Sequence, residues 1–82
     1  MIVYKTEGVC AKQIEIDLQG EIVKEVKFTS GCPGNLIGIS SLVKGMAIQE
    51  VINRLKGIKC GNKDTSCPDQ LSKALENYLL EK

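Results

Sequence analysis

Four cysteines and no histidine dominate the chemistry available to this 82-residue chain. The cysteines are Cys10, Cys32, Cys60 and Cys67, separated by 21, 27 and 6 residues. None of these gaps is the Cys-x-x-Cys spacing of zinc ribbons and thioredoxin-like proteins. The spacing alone leaves three interpretations: separate reduced thiols, disulfides formed in an oxidising compartment, or one metal site assembled from distant segments.

The residues around the cysteines favour the metal site. Each cysteine lies in turn-like sequence with glycine or proline nearby, as in Gly31-Cys32-Pro33 and Ser66-Cys67-Pro68. A structural core cysteine more often lies inside a periodic apolar run. We therefore expect the loops to bring the cysteines together. Because the chain has no histidine, thiolates would have to bind the ion, and a carboxylate is the one other ligand type considered beside them.

Two cysteines precede proline directly before predicted helices, at Cys32-Pro33 and Cys67-Pro68. The partial positive charge of a helix N-terminus lowers the pKa of a cysteine placed there and favours the thiolate. The alternative is that each proline only starts its helix. A catalytic thiol commonly needs a histidine base. The chain has none, so we do not expect it to be catalytic on its own.

The segments between the cysteines predict an antiparallel sheet. Residues 13–18 alternate strictly, which predicts burial of Ile14, Ile16 and Leu18 and exposure of Glu15 and Asp17. After the turn signal at 19–20, residues 21–28 read as a second strand. Its predicted inner face is Ile22, Val26 and Phe28, interrupted by Lys24. Residues 2–5 fit a short third strand.

Three helices are predicted after the sheet. Apolar residues recur at helical spacing from Leu36 to Val43, again from Ile48 to Leu55, and in a last helix from about Pro68 to Leu80. Glycines at 45 and 57 are predicted to end the first two helices. The predicted inner face of the last helix is formed by Leu71, Leu75, Tyr78 and Leu79.

The predicted fold is therefore α+β, an antiparallel hairpin or three-stranded sheet followed by three helices packed on one face. The whole chain, 1–82, is expected to form one four-cysteine domain. Cys10 precedes the hairpin and Cys32 follows it, so both are expected at the same end of the sheet. Cys60 is within loop reach of Cys67. The predicted ligands of one Zn²⁺ ion are Cys10, Cys32, Cys60 and Cys67.

Composition restricts the class of partner. Eleven lysines and arginines against ten acids give a net charge of +1, which excludes the strongly basic face of a nucleic-acid-binding protein. No apolar run approaches the roughly 20 residues that span a membrane. The first residues do not resemble a signal peptide, so a cytoplasmic location is expected.

The string Thr65-Ser66-Cys67-Pro68-Asp69 resembles the signature of the TSCPD family of small four-cysteine domains. Cys10, Cys32 and Cys60 stand in matching order before it. That domain also occurs at the C-terminus of adenosylcobalamin-dependent ribonucleotide reductases. The resemblance implies a metal-binding accessory domain, with a ribonucleotide reductase chain or a second copy as partner. Reductase activity itself does not transfer, because 82 residues provide neither the radical-bearing barrel nor a cobalamin site.

A second resemblance is to the NifU/IscU iron–sulfur scaffolds, and it implies an IscU-like fold. It rests on residues 9–14, on residues 26–32 and on Cys67 before the last helix. The scaffolds have an aspartate where this chain has Lys12 and a histidine where it has Ser66. Four cysteines also form a closed site, which fits structural zinc or a stably held cluster. The alternatives to zinc binding are an iron–sulfur scaffold or carrier, and a thiol–disulfide redox protein that uses a pair such as Cys60 and Cys67.

Overall fold

The computed structural model describes residues 2–6, 9, 11–30, 33–59, 61 and 64–81. A three-stranded antiparallel sheet is followed by three helices, which confirms the predicted α+β class. The strands are β1 (Ile2–Lys5), β2 (Gln13–Gln19) and β3 (Ile22–Thr29), in the spatial order β1-β2-β3. The helices are α1 (Pro33–Val43), α2 (Ile48–Leu55) and α3 (Cys67–Glu81).

The central strand β2 shows the predicted alternation in a weaker form. Ile14 and Ile16 are fully buried, as predicted, but Leu18 is only half-buried. The prediction that Glu15 and Asp17 are exposed was wrong, because both are half-buried. β2 pairs with β1 on one side and β3 on the other, so neighbouring strands shield even its outward side chains.

The predicted inner face of β3 was also wrong in its first half. A register irregularity follows Asp17, where Asp17 pairs with Glu25 but Leu18 pairs with Val23. This bulge shifts the alternation, so Val23 is fully buried and Ile22 is 40% exposed. Beyond the bulge the prediction holds, since Val26 is buried and Phe28 is half-buried. Lys24 therefore lies at the bulge and does not interrupt the core.

The connection between α1 and α2 is bonded to the start of β3. Gly45 N donates to Val23 O and Val23 N donates to Met46 O, both at 2.8 Å. Ile48 N, at the start of α2, donates to Glu21 O at 2.8 Å. Gly45 has a φ of 87°, a left-handed conformation that suits glycine and turns the chain after α1. These bonds place the start of α2 beside the hairpin turn.

One hydrophobic core joins the sheet to the helices. α2 contributes Ile48, Val51 and Ile52, the stripe that its periodicity predicted. α3 begins at Cys67, within the predicted range of Pro68. Its Leu71 and Leu75 are fully buried, whereas Tyr78 is only half-buried at the edge of the core, short of the full burial that was predicted.

Across the described part of the chain, the longest helix is too short and too polar to cross a membrane.

Candidate functional site

Cys67 is the first residue of α3 and carries a free, half-buried thiol. Pro68 follows it in the first helical turn, as predicted. Cys10, Cys32 and Cys60 lie outside the described residues, so the convergence of the four sulfurs stays a prediction. Among the residues that the structure describes, no group of three or more His, Cys, Asp or Glu side chains is placed to hold a metal ion.

Ser66 caps the N-terminus of α3 directly before Cys67. Its Oγ accepts a hydrogen bond of 3.2 Å from the backbone N–H of Asp69, the third residue of the helix. The same hydroxyl donates to Ile58 O at 2.7 Å. The N-cap satisfies one of the free N–H groups of the first turn and fixes where the helix begins. Cys67 therefore directly follows an anchored residue, because Ser66 is only 5% exposed and its hydroxyl makes both of these hydrogen bonds.

The carboxylate of Asp69 holds both sides of the loop that precedes α3. Its Oδ1 accepts from Gly57 N at 2.7 Å, and its Oδ2 accepts from Thr65 Oγ1 at 2.5 Å. Asp69 is 3% exposed, so a buried charge is satisfied mainly by hydrogen bonds inside the protein. Lys73 adds an ion pair at 3.5 Å, which is weak because the lysine is half exposed.

These bonds form a clamp, which we define as Gly57, Ile58, Thr65, Ser66 and Asp69. The clamp joins the chain at residues 57–58 to the chain at residues 65–69. The segment between these two points carries Cys60, and Cys67 lies within the second one. The clamp therefore holds together the two ends of the segment that carries Cys60, and Cys67 lies at the second of these ends.

Hydrogen bonding and burial shift the pKa of Asp69 in opposite directions. Burial raises the pKa of the carboxyl, but the hydrogen bonds from Thr65 and Gly57 and the charge of Lys73 outweigh it. The net effect lowers the pKa below the ordinary aspartate value. Asp69 is therefore ionised at neutral pH, in the state that the clamp requires.

Chain segments next to two other cysteines meet at one end of the sheet. Gln13, at the start of β2, pairs with Thr29, at the end of β3. Lys12 N donates to Thr29 O at 2.7 Å, and Thr6 Oγ1 donates to Ala11 O. Residue 11 directly follows Cys10, and β3 leads towards Cys32. The described flanks of these two cysteines therefore agree with the predicted hairpin geometry.

Sequence reasoning missed Ser66 and Asp69 as structural residues. The signal was present, because Ser-x-x-Asp before an apolar helical stripe is a capping-box pattern. In the usual capping box, the acidic residue bonds the N-cap backbone N–H. Here it bonds Gly57 and Thr65 instead. That longer reach across the loop depends on tertiary structure, which a local pattern does not reveal.

We expect Asp69→Asn to destabilise the metal-free protein by about 2 kcal/mol at pH 7, since it removes charge-assisted hydrogen bonds in a buried site. The pKa of Asp69 is lowered in the folded state, so its contribution is present above the unfolded pKa of about 4 and is lost as the pH falls through the folded pKa. The stability difference between wild type and variant should therefore shrink below about pH 4. Urea unfolding in chelator, from pH 7 to pH 3, measures this.

Asp64→Asn is the matched control, because it neutralises an exposed acid in the same loop. Its effect at pH 7 should stay within about 0.5 kcal/mol. Equal losses for the two variants would show that the effect is general electrostatics and not the clamp.

An α+β domain with a capped, half-buried thiol at the start of its last helix is the class that the fold and the site define. The chain matches the TSCPD domain family over residues 2–79 and therefore belongs to that family. Neither a comparison with curated proteins nor one with solved structures finds a significant match. The likeness to NifU/IscU scaffolds stays a prediction.

Proposed function

We propose that this TSCPD domain binds one Zn²⁺ ion through the thiolates of Cys10, Cys32, Cys60 and Cys67, and that it serves as an accessory domain of a ribonucleotide reductase. The observation that carries the proposal is the placement of Cys67. It is a half-buried free thiol on the first residue of a 15-residue helix, beside the capping hydroxyl of Ser66. The thiolate is the metal-binding form of cysteine, and the described structure leaves this sulfur free of any disulfide.

The donor set supports zinc. Four cysteines without histidine would supply only sulfur ligands, and a tetrahedral Cys₄ set is typical of structural zinc. When bound, the ion would crosslink the sheet, α1 and α3 through the segments that bear the cysteines. Such a crosslink matters in a small domain, where a limited core supplies little net stability.

The clamp supports a rigid, closed site. It joins residues 57–58 to residues 65–69, on either side of Cys60 in the sequence and around Cys67, so fewer chain conformations remain to be restricted when the metal binds. Clamp residues would act as positioning residues and would not contact the ion. This favours a permanent structural site over an exchangeable one.

The role of Ser66 argues against an iron–sulfur scaffold. It occupies the position where the scaffolds have a histidine, and its hydroxyl is used by α3 and by Ile58. Lys12, which replaces the scaffold aspartate, is exposed beside the end of β3. Neither residue supplies the ligand type that a labile cluster site uses.

The reductase association rests on membership of the TSCPD family and on what the resemblance implies. The domain would then act by stabilising or docking a longer reductase chain.

Metal analysis with a visible spectrum tests the proposal on protein purified anaerobically without chelator. We expect one zinc ion per chain and a colourless preparation. Less than about a tenth of an equivalent of any transition metal would contradict metal binding. A brown protein containing iron and sulfide would instead support the iron–sulfur alternative. Reversible loss of two thiols in a titration of metal-free protein, with and without reductant, would support the redox alternative.

A further inference from the structure

The outer edge of β3 is open over most of its length. β3 pairs with β2 on one side, and on its other side the chain at Gly45 and Met46 bonds only Val23. From Lys24 to Thr29 no further strand lies beside β3 within the described part of the chain. An unpaired strand edge is a template for pairing with another strand.

Charges next to this edge are unbalanced in a single chain. Asp17 lies directly opposite Glu25, so two acids face each other across β2 and β3. Like charges in such a pair are destabilising. The described residues contain no ion pair for either acid. Two residues further along, Glu15 lies opposite Lys27, which is a favourable arrangement.

The helix above the same edge presents apolar side chains to solvent. α1 packs against β3, and its sequence contains no charged residue. Ile37 is 66% exposed and Leu42 is 73% exposed. Gly34 and Gly38 are also exposed and have open space where a Cβ would be, so a second helix can approach closely. An apolar surface beside an open strand edge is typical of an interface.

We propose that the chain forms a two-fold symmetric dimer in which β3 pairs antiparallel with β3 of a second copy, centred on Val26. Directly opposed residues share one face of a sheet, so Val26, which is buried, must face a side chain on the inner face of the second copy. Centring on Val26 places Glu25 opposite Lys27 of the second copy, twice by symmetry. Centring on Glu25 or on Lys27 would instead place like charges together.

In this dimer the open edge of β3, the Asp17–Glu25 pair and the exposed apolar side chains of α1 each meet the second copy. Lys27 of the second copy supplies the cation that the Asp17–Glu25 pair lacks. A two-fold axis perpendicular to the sheet keeps both helical layers on the same side, so α1 meets α1 above the joined strands. The groove of about 430 Å³ between α1 and β3, lined in part by Phe28, Leu36 and Ile37, then lies at the seam. This inference does not depend on metal binding.

Charge reversal tests the register on the full chain in reducing buffer, where no intermolecular disulfide contributes. Wild type should dimerise with a Kd on the order of micromolar, measured by sedimentation equilibrium. Glu25→Lys and Lys27→Glu should each weaken self-association by about 100-fold, because each places like charges opposite one another twice. An equimolar mixture of the two variants should recover a dimer, since one chain then carries only lysines and the other only glutamates at the opposed positions.

The mixing result separates the proposal from a folding defect. Glu25→Lys also removes the Asp17–Glu25 repulsion, so this variant should be at least as stable to urea as wild type. Ile37→Asp should weaken the dimer, whereas Leu80→Asp, at an apolar residue 83% exposed on α3, should not. A monomeric wild type, or single charge variants that still dimerise, would overturn the proposal. Binding of a reductase chain to monomeric protein in a way that Ile37→Asp abolishes would assign this face to that partner instead.

Discussion

Cys67→Ser is expected to abolish stoichiometric zinc binding. The substitution replaces the soft thiolate with a hydroxyl that stays protonated at neutral pH and binds zinc poorly. Residues next to a metal ligand typically contribute 10–100-fold to affinity, so losing a ligand should cost more than about 100-fold. Metal content after dialysis, and competition with a chromogenic chelator, measure the loss. Cys32→Ser, directly before α1 in the sequence, is expected to behave in the same way.

The stability of these variants distinguishes a ligand from a packing residue. In wild type, saturating zinc should raise the free energy of unfolding, by about 4 kcal/mol at a thousandfold excess over Kd. In Cys67→Ser that increment should vanish, while the metal-free stabilities of the two proteins stay within about 1 kcal/mol. An equal loss of stability in metal-free protein, with zinc binding retained, would show that Cys67 only packs against its neighbours.

The sequence predicted the fold well where one local pattern determined the structure. Strict alternation at residues 13–18 predicted β2, and the stripe from Ile48 to Leu55 predicted α2. The errors have one physical origin, since they depend on neighbouring strands. The exposure of Glu15 depends on the strand on either side of it, and the phase of β3 depends on a bulge opposite Leu18. Neither feature is recorded in the spacing of a single segment.

Only part of the candidate site could be predicted from the sequence. The start of α3 at Cys67 followed from Pro68 and the apolar stripe behind it. The clamp did not, because Asp69 bonds Gly57, twelve residues earlier in the chain. The sequence analysis interpreted the signature, residues 65–69, only through the chemistry of its cysteine. In the structure, Thr65, Ser66 and Asp69 stabilise the start of α3 and the loop before it. The signature therefore combines one candidate ligand with the residues that hold its loop.

Leu75→Ala is the substitution expected to lower the free energy of unfolding most, because Leu75 docks α3 onto the rest of the domain. Leu75 is fully buried in the core that joins the sheet to the helices, in the same cluster as Leu71 and Val51. Truncation removes apolar surface from the core and leaves a cavity, because the surrounding elements relax only partly. The expected loss is about 2–4 kcal/mol in urea unfolding. In a domain of this size, that is a large fraction of the total stability.

Leu80→Ala is the matched control, since it makes the same truncation on the same helix at a side chain that is 83% exposed. Helix propensity slightly favours alanine over leucine, so the control should change stability by less than about 0.5 kcal/mol. Because the truncation is the same, the difference between the stability losses of Leu75→Ala and Leu80→Ala measures the contribution of burial. A loss below about half a kcal/mol for Leu75→Ala would show that α3 does not dock through this face. The clamp at its N-terminus would then lack the support that holds Cys67 against the rest of the domain.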